Sequence, residues 1–352
     1  MTADAATLSS DEIRFERRDK AGLVTLTRPK ALNAVNHDMV RRLHAALKAW
    51  EDEDQVAVIV IRGEGRAFSA GGDILAIYQG GMSGNPPYEF FADEYRLNAY
   101  IARYPKPYVA IIDGIVMGGG VGVSFHGSHR VVTENAMFAM PEVGIGFFPD
   151  VGGSHLLPQA PADYGLYLGL TGNRIRWGDV VGSRLATHAV ASADQDKLVE
   201  ALSATGDPDG SIATLAQTPP RETDEATLHS IGELFRPETF DDLMLGLEAA
   251  SDRGNDFAKS AVETLTSRSP TSVKVTFAQI RAGAMLDMDE CMRMEYRILS
   301  RMLKGHDFYE GIRAAIVEKG STPVWRPAKL DEVSEADVDR YFAALGADEL
   351  VI

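Results

Sequence analysis

Three segments of the chain combine residue types that can do chemistry. The first is Phe68-Ser69-Ala70-Gly71-Gly72-Asp73-Ile74, and the second is Asp113-Gly114-Ile115-Val116-Met117-Gly118-Gly119-Gly120-Val121-Gly122. Both follow apolar, β-branched runs and read as glycine-rich turns at strand ends, where α/β sheets bind ligands. Glycine lacks a Cβ, so backbone N–H groups at such turns can approach a ligand closely. Two such groups aimed at one carbonyl oxygen would form an oxyanion hole. The second turn would also gain from the N-terminal end of the helix it opens. The third segment, Ala139 to Gly153, holds Glu142 and Asp150 eight residues apart among apolar and aromatic residues. Buried carboxylates close together cannot both ionise cheaply, and such pairs serve as acids, bases or nucleophiles.

Plainer readings compete with these. The glycines permit tight turns whatever else they do, and Asp150 is well placed to cap a helix over Val151 to Leu157. A dinucleotide or phosphate loop is disfavoured, because Gly118 to Gly122 matches its pattern only in part. His306 and Asp307 adjoin, but no serine has the Gly-x-Ser-x-Gly context of a nucleophile, so His306 reads as a helix-junction residue. His126, His129 and His155 fit no common zinc spacing, and no metal site is expected. Met285, Met288, Met292 and Met294 read as a packing face. Cys291, the single cysteine, reads as a small core or surface residue.

The elements that would position these segments alternate. Ile13 to Arg18 and Leu23 to Thr27 read as strands around a Lys20-Ala21-Gly22 turn. Asp38 to Trp50 has helical spacing. Val56 to Ile61 and Tyr108 to Ile112 are apolar runs of the kind found in strands buried on both faces. Phe90 to Arg103 reads as a helix, Gly118 to Phe125 opens another, and Arg130 to Thr133 and Met137 to Ala139 are short strands. This alternation argues for an α/β architecture. From about residue 160 the pattern is mostly helical, broken by linkers at Thr205 to Ser211 and Gln217 to Asp224. The acidic, amphipathic stretch from Glu332 reads as a packed terminal helix.

One cysteine excludes an intrachain disulfide. No apolar run approaches a membrane span. The first twelve residues are polar and acidic, without the marks of a leader, so a cytoplasmic, reducing location is the expectation. A formal net charge of −16 disfavours nucleic acid and anionic lipid as partners. A polyanionic ligand would therefore need local positive charge or helix N-termini at its phosphates.

In this order and spacing, the three segments resemble the crotonase superfamily of acyl-CoA enzymes. The resemblance implies an α/β fold: a crotonase-like ββα spiral core over residues 12–200, with a helical C-terminal region, residues 201–352, packing on it. It implies that the Gly72 and Gly119 N–H groups form the oxyanion hole. Lys30, Ala31 and Leu32, with Ala70, Gly71, Asp73 and Ile74, would border coenzyme A. Enoyl-CoA hydratases carry a catalytic glutamate where this chain has Gly122, and usually glycine where it has Asp150. Glu142 with Asp150, together with Glu94 as a substrate contact, resembles the 3-hydroxyisobutyryl-CoA hydrolases. Downstream, Met294-Glu295-Tyr296-Arg297, the Gly305 to Ala314 stretch and Pro323-Val324-Trp325 resemble them too. The implied activity is thioester hydrolysis in valine breakdown, with no cofactor beyond the coenzyme A of the substrate. The implied partner is an acyl-CoA, and a homo-oligomer is compatible with the sequence. Two rivals stand beside it: an enoyl-CoA isomerase or hydratase using Glu142, and a non-catalytic acyl-CoA-binding protein.

Overall fold

The computed structural model describes residues 5–352. The start of the polar stretch read as leaderless, residues 1–4, lies outside them. The chain forms two compact units that interleave in sequence, so neither coincides with a division at residue 200. Among the described residues, the first comprises 5–73, Asp93–Phe138 and Ile175–Glu222; the second comprises Ile74–Ala92, Ala139–Arg174 and Thr223–Ile352.

The first unit opens on a hairpin, β1 (Ile13–Arg18) and β2 (Ala21–Leu26). Arg18 pairs with Ala21, so the turn is Asp19-Lys20, one residue earlier than expected. Asp19 has the left-handed φ of 49° that two-residue hairpin turns favour. Gly22 belongs to the strand. A Cβ there would press on the ring of Trp50, on helix α1 (His37–Glu51).

Strands β3 (Val58–Gly63), β4 (Ala67–Ser69), β5 (Tyr108–Ile112), β6 (Ile115–Met117), β7 (His129–Val132) and β8 (Met137–Ala139) form three ββ units. The longer strand of each joins a seven-stranded sheet of order β1-β2-β3-β5-β7-β10-β11, and the shorter joins a four-stranded sheet of order β4-β6-β8-β9, where β9 is Ile175–Arg176, β10 is His188–Val190 and β11 is Ala216–Gln217. Between β2 and β10 the larger sheet is parallel, and burial of Val58 to Ile61 in β3 and of the whole of β5 explains their continuous apolar runs. One face carries Leu23, Val58, Val60, Val109 and Ile111 against Leu198, Val199 and Leu202 of the helix Gln195–Thr205. This ββ repeat with intervening helices is the expected spiral.

Three strands fall where helices alone were expected: β9 (Ile175–Arg176), β10 (His188–Val190) and β11 (Ala216–Gln217). The expected linker at Thr205 to Ser211 runs into a helix, Pro208–Ala213. Pro208 starts it, and the Asp207 side chain accepts the Gly210 N–H.

The second unit is mainly helical. It holds α2 (Ile74–Met82), a helix not expected from the sequence, and long helices at Pro270–Gly283 and Met288–Met302. Met288, Met292 and Met294 are buried in the last of these, whereas Met285 lies ahead of it and is 87% exposed, outside the expected packing face. The terminal helix Glu335–Phe342 carries a Ser334–Asp337 capping box. His306 sits at the start of the helix Asp307–Ile312. The neighbouring Asp307 carboxylate accepts from Ser269 Oγ (2.6 Å) and Arg326 N (2.8 Å), so Asp307 is the residue that joins chain segments here. Cys291 is buried.

Candidate active site

Each of the three chemical segments follows a strand of the four-stranded sheet: Gly71-Gly72 after β4, Gly118 to Gly120 after β6, and Pro141-Glu142 after β8. In the first unit, the chain is clamped on both sides of Gly72. The Gly71 carbonyl accepts the Val35 N–H (2.8 Å), and the Asp73 N–H donates to the Val35 carbonyl (3.0 Å). The Gly72 N–H itself has no acceptor among the described residues. Gly119 is the first residue of α4 (Gly119–Gly122), a position whose N–H has no partner within a helix. Gly118 ahead of it takes φ 46°, ψ −125°, a conformation open to glycine. A Cβ on Gly119 would stand 3.3 Å from the Gly72 nitrogen. Two uncommitted backbone donors are therefore neighbours, the arrangement an oxyanion requires.

The same Cβ would stand 2.9 Å from Glu94 Oε1. Glu94, on α3 (Tyr88–Ala102), is 2% exposed. The structure thus brings Glu94 beside the paired donors. It also joins two of the expected coenzyme A-bordering stretches. Lys30 and Ala31 lie in a short 3-10 turn, Leu32 follows with φ 51°, and the Leu32 carbonyl accepts the Ala70 N–H (2.9 Å). Lys30 is exposed. Asp73 is engaged from inside the unit, with Arg28 Nη2 3.2 Å from its Oδ2. Ile74 begins α2 in the other unit.

In the second unit, Glu142 is 7% exposed and Asp150 is 5% exposed. Burial first, and the negative charge of Asp150 second, push the Glu142 carboxyl well above the ordinary glutamate range. Its Oε2 has no hydrogen-bond partner among the described residues. A buried acid with an uncommitted oxygen and a raised pKa is the form in which proteins keep a base or nucleophile. Asp150 does not cap a helix: α5 spans Gly153–Leu156, and Gly152 occupies its N-cap without a side-chain bond.

A further buried acid, Glu295, stands beside these candidates without a signal in the spacing. Glu295 is completely buried, and burial pushes its carboxyl up to about 8. It accepts the Gly152 N–H and the Ser154 N–H, each at 2.9 Å. Among the described residues, no group of three or more His, Cys, Asp and Glu could hold a metal ion, and no helix is long and apolar enough to cross a membrane.

A ββα spiral with two glycine N–H donors paired beyond its short strands defines a crotonase-type acyl-CoA enzyme. The sequence profile described as enoyl-CoA hydratase/isomerase matches residues 21–342, and the chain belongs to that family. It is 42% identical to the "3-hydroxyisobutyryl-CoA hydrolase, mitochondrial" of Danio rerio, over 97% of this chain and 92% of that one. A solved carnitinyl-CoA dehydratase from Mycobacterium thermoresistibile superposes with a TM-score of 0.91 at 43% identity, covering 97% of this chain and 99% of the other. An enoyl-CoA hydratase from Rhodobacter sphaeroides gives 0.86 at 36% identity, with 97% and 100% covered.

The cytoplasmic expectation is corrected by these relatives, because the hydrolase bears a mitochondrial name. Scarce cysteine does not distinguish the cytosol from a mitochondrial matrix, since both are reducing.

Proposed function

We propose that the protein hydrolyses a short, branched 3-hydroxyacyl-CoA, 3-hydroxyisobutyryl-CoA foremost, to the free acid and coenzyme A. The observation that carries this reading is the buried Glu142, with a raised pKa and one uncommitted oxygen, set against Gly122 where a hydratase has its other acid. The Gly72 and Gly119 N–H groups hold the thioester oxygen as negative charge develops on it. Glu142 attacks the carbonyl carbon and displaces the coenzyme A thiolate to form a mixed anhydride, which water then hydrolyses, or Glu142 takes a proton from the water that attacks and displaces the thiolate directly; both routes end in the free acid and coenzyme A. Asp150 and Glu94 orient the substrate hydroxyl or handle protons. Lys30 to Leu32 and Ala70 to Ile74 border the coenzyme A. Valine breakdown is the pathway this substrate implies, and the mitochondrion is the location the relatives support.

The names of the solved relatives favour hydration, and Glu94 beside the oxyanion donors gives that reading an acid. A thiol-release assay over a panel of acyl-CoAs separates the two. Thiol release from 3-hydroxyisobutyryl-CoA is expected to exceed hydration of crotonyl-CoA. Loss of the enoyl absorbance with negligible thiol release would sink the hydrolase assignment.

Asp150→Asn keeps the shape of the side chain and removes its charge. It is expected to retain coenzyme A binding and lose turnover about a hundredfold, the scale of a misplaced proton-handling group. Steady-state kcat with calorimetric coenzyme A binding checks it. An unchanged kcat would leave Asp150 without a part in catalysis.

A further inference from the structure

We propose that Glu295 is a positioning residue for the reaction: it grips the turn after Asp150 and thereby fixes where the Asp150 carboxylate points. The inference rests on the reading above, in which Asp150 acts during turnover.

The turn is one that a chain does not adopt unaided. Val151 has φ 50° and Gly152 has φ 89°, two consecutive left-handed residues directly after Asp150. A β-branched residue in that region is strained, and such strain persists only where the surroundings over-determine it. Here they do. Glu295 Oε2 accepts the Gly152 N–H (2.9 Å), while Oε1 accepts the Ser154 N–H (2.9 Å) and the Ser154 hydroxyl (2.5 Å). On the other side of Asp150, Gln279 Nε2 donates to the Pro149 carbonyl (2.5 Å) and to Ser154 Oγ (2.9 Å). The residues flanking Asp150 are therefore held by side chains from two helices, Pro270–Gly283 and Met288–Met302, and Ser154 ties the two holds together.

Mere stability gives a weak reason for this arrangement. Glu295 is completely buried, and no Lys, Arg or His forms a salt bridge with it among the described residues. A buried acid without a cation costs stability. Strained turns held by costly polar groups cluster at functional sites. The strain and the buried acid here both adjoin Asp150.

The test is a double-mutant cycle between Glu295→Gln and Asp150→Asn, read with 3-hydroxyisobutyryl-CoA. Glutamine has one acceptor oxygen and one NH2, so it faces a turn N–H with a donor and loosens one of the two grips. With folding confirmed by circular dichroism, Glu295→Gln alone is expected to lower kcat at least about tenfold and to change KM by less than about threefold. In the Asp150→Asn background the same change should cost less than about twofold, because the group it positions has already lost its function. Equal losses in both backgrounds would mean that Glu295 supports only the fold, and would overturn the proposal. Unchanged kcat in folded Glu295→Gln would overturn it as well. Should Glu295→Gln fail to fold, Ser154→Ala removes the two hydrogen bonds of the hydroxyl, to Glu295 and from Gln279, and leaves the Ser154 N–H in place. It is expected to lower kcat more than KM and to show the same non-additivity with Asp150→Asn; normal turnover there would count against the proposal. An impaired Asp150→Asn with a normal Glu295→Gln defeats this inference alone. A normal Asp150→Asn, or a wild-type protein that releases no thiol, defeats the reading it rests on.

Discussion

Glu142→Gln is expected to cut kcat by at least about a hundredfold and at the same time to raise the melting temperature. The amide can neither attack a thioester nor accept a proton from water. The stability gain follows from the raised Glu142 pKa, whose causes are burial and then the charge of Asp150. At low pH the carboxyl is protonated in both the folded and the unfolded chain, so wild type and variant should melt together. As pH rises past the ordinary glutamate value, the unfolded carboxyl ionises while the folded one keeps its proton. The folded state then binds more protons, and wild-type stability falls with pH until the raised folded pKa is passed. The variant is spared this loss, so its advantage should grow across that window and then level. Because the carboxylate is the reactive form, wild-type kcat/KM should climb through the raised pKa, reaching its plateau later than an ordinary glutamate would allow. Melting curves and rates measured from acid to alkaline pH check both statements. A variant that melts below wild type throughout would mean that the Glu142 carboxylate is stabilised where it lies, and the account of its reactivity would fall. Loss of activity with gain in stability is the signature of a group held for chemistry at the expense of the fold.

The sequence was legible where a signal is local. Ile13–Arg18, Tyr108–Ile112 and Met137–Ala139 were read to the residue, because β-branched and aromatic residues between turn-formers leave little choice. Gly22 was misread as a turn residue; its reason is the ring of Trp50, packed from another element. Strands of two or three residues such as Ile175–Arg176 carry no period to detect. The helix at Pro208 did carry a signal, an Asp-Pro start with the acid at the N-cap, and the polar composition around it hid the helix. The site divides in the same way. Glu142 and Asp150 stand out as acids in apolar surroundings. Glu295 lies on an amphipathic helix, where a glutamate reads as surface, and its partners are 143 and 141 residues away. Long-range hydrogen bonds of this kind leave no trace in spacing.

Gly119→Ala is expected to leave the fold intact and lower kcat/KM at least about a hundredfold, the size of losing one oxyanion donor. Gly120→Ala, one residue on, is expected to damage the fold itself. The difference lies in what each new methyl would meet. At Gly120 it would be driven into the backbone carbonyl of Ser69, on β4, which cannot move without disturbing the sheet. The cost should be about 1–3 kcal/mol of stability, as for other overpacked sites. At Gly119 it would meet Glu94 Oε1 at 2.9 Å, the far end of a side chain that can rotate away, and the Gly72 nitrogen at 3.3 Å. A hydrogen-bonded oxygen must sit about 2.9 Å from that nitrogen, so the methyl crowds the place where a thioester oxygen would lie. The Gly119 N–H remains, yet the carbonyl can no longer settle against both donors. Thermal melts and thiol-release rates for the two variants, measured side by side, test the assignment. Near-normal turnover in folded Gly119→Ala would show that the thioester oxygen is held elsewhere, and the role of the Gly72 N–H would fall with it.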